Sequence, residues 1–76
     1  MKTEEEWAEQ AKRIFRAEMK RRGFTYDDLS AKLAENGVQE SSANIRNKVA
    51  RGKFSAVFML QSMDAMGCKS IILSGD

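Results

Sequence analysis

The sequence contains no histidine, no proline and a single cysteine. Without histidine the commonest general base is missing, and neither a Ser-His-Asp nor a Cys-His arrangement can be assembled. The lone Cys68 cannot close an internal disulfide, and one thiol without imidazoles does not make a zinc site. It reads as a small, half-buried residue following a helix. The carboxylates offer no better start for chemistry. Glu4, Glu5 and Glu6 are adjacent, so on a helix they diverge instead of converging on a substrate, and Asp27 and Asp28 stand at a helix start where the macrodipole accounts for them. The chain is therefore expected not to be an enzyme and to need no metal and no cofactor. No apolar run approaches the roughly 20 residues that cross a bilayer, and no basic segment leads into an apolar core near Lys2. The expectation is a cytoplasmic protein without a membrane partner.

What is present is a globular balance, with 42% hydrophobic and 32% charged residues over 76 positions. That length holds one domain, spanning residues 1–76, and a chain so short buries only about 60% of the surface it exposes when unfolded. The net charge of +2 says little about partners. Its distribution says more: between Ser41 and Met63 there is no Asp or Glu, while Arg46, Lys48, Arg51 and Lys53 all fall inside that stretch.

Glycines 23, 37, 52 and 67 each follow a run of good helix formers, which predicts four helices near residues 4–22, 25–36, 42–51 and 55–67. In the first, Trp7, Ala11, Ile14, Phe15 and Met19 follow the 3-4 spacing of a buried face. Arg13, Arg16 and Lys20 line its far side as a solvated stripe, with Glu9 four residues before Arg13 as a surface pair. The second opens on Thr25 and Asp28, a capping box with Asp in the usual Glu position, and Phe24 is placed to staple against Leu29. Leu29 and Leu33 face inward, with Tyr26 at the rim. The third is capped by Ser41 or Ser42 and divides sharply: Ile45 and Val49, with Ser42, point one way, and Ser41, Asn44, Asn47, Lys48 and Arg51 gather on the other. The fourth opens at Ser55 and is nearly apolar throughout, with Phe58, Met59, Leu60, Met63 and Met66 covering more than half its circumference. After it, Ser70, Ile71, Ile72 and Leu73 form a short β-favouring run.

Two short helices joined by a turn, between a longer helix and an apolar one, are the layout of a helix-turn-helix domain. The segment Thr25-Tyr26-Asp27-Asp28-Leu29, with Leu33, Gly37-Val38, Ile45 and Arg51-Gly52-Lys53, resembles the Cro and phage-repressor class over roughly Phe15 to Cys68. The stretch from Leu33 to Ile45 is longer than in the compact repressor motif. The strings AEQAKRIFRAEMKRRGFTYDDLSAKLAENGV and ANIRNKVARGKFSAVFMLQSMDAMGC are similar to a family of small bacterial proteins of uncharacterised function. The repressor resemblance implies an all-α, four-helix domain in which residues 42–50 form a recognition helix and Tyr26 lies near the DNA backbone.

Side-chain chemistry assigns the roles on double-stranded DNA. Asn44 and Asn47 suit adenine edges, Lys48 and Arg51 guanine or phosphate, and Arg46 and Lys53 phosphate at the margins. Ser41 completes the face. The competing expectation is a protein-interaction module that docks through the Met-rich fourth helix or the tail. For the tail, residues 69–76, antiparallel pairing with a second copy would satisfy the strand's backbone groups, which predicts a homodimer matched to a palindromic site.

Overall fold

The computed structural model describes residues 1–73; positions 74–76, the end of the tail expected to pair as a strand, lie outside the described residues. Four α-helices make an all-α fold: α1 (Glu4–Arg22), α2 (Tyr26–Glu35), α3 (Ser42–Arg51) and α4 (Ala56–Ala65). No strand occurs among the described residues. Each helix starts on a hydroxyl cap whose oxygen accepts a main-chain N–H from the first turn. These caps are Thr3, Thr25, Ser41 and Ser55. Thr25 and Asp28 close a reciprocal capping box, as do Thr3 and Glu6. In the Thr25 box the main chain holds the Asp28 carboxyl below its ordinary value, through the bond from the Thr25 N–H and then the Thr25 hydroxyl.

The core joins one face of each helix: Phe15 and Met19, Leu29 and Leu33, Ile45 and Val49, then Phe58, Met63 and Met66. Phe15 lies parallel to Phe58 at 5.6 Å between ring centres, and Phe54 meets both rings edge-on. α3 packs on both α1 and α2, and α2 in turn packs on α4.

Several inward assignments fail. Trp7 belongs by spacing to the buried face of α1 but is 55% exposed, because the start of α1 packs on Gly52 through Ala8, which turns the neighbouring indole outward. Leu60 is 66% exposed, since the buried arc of α4 centres on Ser62 and Leu60 sits across the helix from it. Met59 is only partly buried, and the fourth helix therefore has one buried face. Three polar residues go inside, Ser62 on α4 and, on α1, Glu18 and Gln10. Glu18 is buried and accepts from Arg21 and Arg22, the latter at 3.1 Å, and Arg22 reaches on to the Gly67 carbonyl at 3.1 Å. Burial opposes ionisation of Glu18, but the bonds and charges of Arg22 and Arg21 outweigh it, so its carboxyl titrates below the ordinary range. Gln10 is buried beneath the C-terminal segment, its Nε2 donating to the Leu73 carbonyl at 2.6 Å.

The tail thus folds back along α1, with Ile71 against the core, instead of standing free as a strand. The Glu9 to Arg13 pair is replaced by Glu9 with Lys12.

Candidate nucleic-acid interface

α3 is fixed at both ends. At its start Ser41, not Ser42, is the cap, accepting from the Asn44 N–H at 3.1 Å, which frees the Ser42 hydroxyl to donate to Asp27 on α2. At its end Gly52 adopts φ +68° against α1, so close that a Cβ there would stand 2.1 Å from the Ala8 carbonyl oxygen. Only glycine satisfies both conditions. With Ile45 and Val49 fully buried between these ends, the outer arc of the helix is determined: Ala43, Asn44, Arg46, Asn47, Ala50 and Arg51 are exposed.

The arc differs in centre from the face drawn on the sequence. Ala43, Asn47 and Ala50 recur at i, i+4 and i+7 and form its middle row. Asn44 and Arg51 lie on one flank with Ser41 beyond, and Arg46 lies on the other, its guanidinium 5.3 Å from the Tyr26 ring centre. Ala43 and Ala50 carry no polar atom, so side-chain chemistry alone does not single them out. Their spacing with Asn47, opposite Ile45 and Val49, was the signal that marked them.

Two of the four expected cations are not free. Lys48 is half-buried, pairs with Glu40 and places its ammonium 4.7 Å from the Phe58 ring centre, where it closes the edge of the core. Lys53 pairs with Glu5 at 2.9 Å and Glu4 at 3.8 Å across the start of α1. The bond to Lys53 lowers the Glu5 carboxyl, and the bond to Glu5 raises the Lys53 ammonium. An acid-free stretch of sequence is therefore not an acid-free surface, since the fold brings carboxylates to it from outside the stretch. Arg46 and Arg51 have no carboxylate partner among the described residues; the Arg51 Nε donates to the Asn47 carbonyl at 3.5 Å. The Asp27 carboxylate on α2 is engaged by the Ser42 hydroxyl.

α1 and the tail border a groove of about 650 Å³, to which α2 and α3 contribute no lining residue. Among the described residues no helix is long and apolar enough to cross a membrane.

The class these observations define is an all-α, four-helix domain built around a short, doubly anchored third helix with a polar, cationic outer arc. Within that class the chain belongs to the family described as a domain of unknown function, DUF6471, whose profile matches residues 7–71. This agrees with the similarity to small domains of uncharacterised function and carries no statement of Cro or repressor kinship. No curated protein and no solved structure matches the chain.

Proposed function

We propose that this domain binds double-stranded DNA and lays the outer arc of α3 in the major groove, in the manner of a helix-turn-helix protein and, by extension, of a transcriptional regulator. The observation that carries the reading is the arc itself: small residues along its middle, amides beside them, and two arginines without carboxylate partners at its flanks. Small side chains let a helix backbone approach base edges. An amide at Asn47 or Asn44 can then bond adenine through two contacts, and Ala43 and Ala50 can meet thymine methyls. Arg46, stacked beside Tyr26 at the start of α2, and Arg51 take phosphate or guanine. Lys48 and Lys53 contribute less than their charge suggests, because each already has a carboxylate.

A salt titration of binding to random and selected duplexes, read by fluorescence anisotropy, tests this. Arg46→Ala and Arg51→Ala should each flatten the logarithmic salt slope by about one unit, whereas Asn47→Ala should cost about 1–3 kcal/mol on a selected site and leave random duplex nearly unaffected. Absence of binding at low salt, or binding that survives Asn47→Ala, Arg46→Ala and Arg51→Ala together, would falsify the reading and favour a protein-interaction module.

A further inference from the structure

Six cations and two carboxylates line the groove between α1 and the tail. Both carboxylates are already engaged, Glu9 by Lys12 at 3.4 Å and the buried Glu18 by Arg21 and Arg22. That leaves Arg13, Arg16 and Lys20, all exposed, without a carboxylate partner among the described residues. They form one row along α1, with rises of about 4.5 and 6 Å between neighbours. Beside the row lies an apolar strip, Ile14 and Ala17 from the helix with Ile72 and Leu73 from the tail, the last two 71% and 66% exposed. The tail is a fixed wall, because the Gln10 amide donates to the Leu73 carbonyl and Ile71 packs on the core. Gln10 is thereby taken up by the tail, and Ile14 and Ala17 are what α1 itself contributes to the apolar floor.

We infer that this groove docks an acidic amphipathic helix of a partner protein, its apolar stripe on Ile14, Ala17, Ile72 and Leu73 and its carboxylates on Arg13, Arg16 and Lys20. The occupant must carry negative charge and apolar bulk side by side along its length. An anionic amphiphile holds its charge at one head group, so it would pair with one end of the row and leave the rest bare. A nucleic-acid backbone repeats its charge but presents it without an apolar stripe alongside. An extended peptide repeats side chains on one face about every 6.6 Å, out of step with the row. A helix repeats them at rises of about 4.5 and 6 Å, the spacing of the cations themselves, and carries an apolar stripe beside them. The small side chain of Ala17 lets a second helix come close. The inference goes beyond DNA binding and does not depend on it, since none of the groove's lining comes from α2 or α3.

The probe is a fluorescein-labelled synthetic helix of about fourteen residues, matched in length to the groove from Glu9 to Arg22, with leucines along one stripe and glutamates along the next. Its anisotropy, titrated with the full chain from low micromolar to millimolar concentration, should saturate at a one-to-one ratio, and the affinity should fall as salt rises. A peptide with lysines in place of the glutamates, and another with serines in place of the leucines, should each bind about tenfold more weakly or worse. Arg16→Glu with Lys20→Glu should weaken binding of the glutamate peptide by about thirtyfold and create binding of the lysine peptide, a reversal that a merely structural change would not produce. Ile72→Ser with Leu73→Ser should weaken it by about tenfold. Arg46→Ala, on α3, should leave peptide binding unchanged, which keeps failure of this inference apart from failure of DNA binding. Circular dichroism of each variant checks that it folds; where the charge variant does not, the lysine and serine peptides on the unaltered chain decide alone. No binding of the glutamate peptide at millimolar chain, or equal binding of the lysine or serine peptide, overturns the inference. So does a groove that, judged by the same double charge variant, takes up only random duplex DNA, dodecanoate or vesicles of anionic phospholipid.

Discussion

Replacing Gly52 by Ala separates two effects that a glycine substitution usually merges. Gly52 and Gly37 have similar dihedrals, φ +68° and +82°, so Ala suffers the same left-handed strain at both, about 1–2 kcal/mol. The stiffer unfolded chain returns about 0.4–1 kcal/mol of that in each case. Space is what differs. At Gly37 a Cβ meets nothing within 4 Å, whereas at Gly52 it would lie 2.1 Å from the Ala8 oxygen and 2.7 Å from its carbonyl carbon. Those atoms are backbone in α1, so relief requires α1 and α3 to move apart, and overpacking of that kind adds about 1–3 kcal/mol. Gly37→Ala should therefore destabilise by about 1 kcal/mol and Gly52→Ala by about 2–4 kcal/mol, with a melting temperature lower by about 4–8 °C for each kcal/mol. Urea unfolding at equilibrium, followed by circular dichroism with the slopes compared, measures both. If the two variants lose the same stability within about 0.5 kcal/mol, helix packing at Gly52 is looser than argued and α3 is not anchored there.

Ile45→Ala should cost about 2–5 kcal/mol in the same assay, because Ile45 is fully buried between α3 and its neighbours; an unchanged midpoint would put that face of α3 in solvent. Ser62→Ala should stabilise by about 1 kcal/mol, since the Ser62 Oγ is buried with no hydrogen-bond partner among the described residues, and a loss of stability would mean that the hydroxyl is satisfied. The folded-state carboxyl of Glu18 lies below its ordinary 4.5, so its stabilising contribution is complete above that value and is lost as the pH falls through it toward the folded value. Urea midpoints at pH 7 and pH 3 should accordingly differ less in Glu18→Gln than in the unaltered chain, and an equal difference would remove Glu18 from the acid response. With no histidine, the stability curve between pH 5 and pH 8 should be nearly level.

Helix positions were legible because local chemistry sets them. Thr25 and Asp28 form the box their spacing predicts, and α1 and α3 span 4–22 and 42–51 as read from caps and periodicity. The second helix is shorter by its caps Thr25 and Asn36, and the fourth by its caps Ser55 and Met66 and by Gly67. What could not be read is whatever depends on contacts between distant segments. Lys48 and Lys53 lose their freedom to Glu40 and to Glu4 and Glu5, and the last two are brought there only by packing of α1 on α3. Glu18 and Gln10 go inside because the chain after α4 supplies or covers their partners. Alternation and charge describe a helix by itself. The candidate site shifted by one row for the same reason: the exact rotation of α3 is set by Gly52 at Ala8 and by Ser42 at Asp27.

The partners of α1 have a consequence for the order in which the molecule is made. It precedes the other three helices in the chain, yet it meets Gly52 and Lys53 at one end, Phe54 and Phe58 at its middle, and Gly67 and Leu73 through Arg22 and Gln10. All of these come from the second half of the chain, at separations of up to 63 residues. Closing such separations must precede the packing that rewards it, so α1 can form early as a helix but becomes docked late. Until the chain beyond α3 is made, Phe15 lacks the Phe54 and Phe58 rings, and the nascent chain carries an apolar face covered only in part.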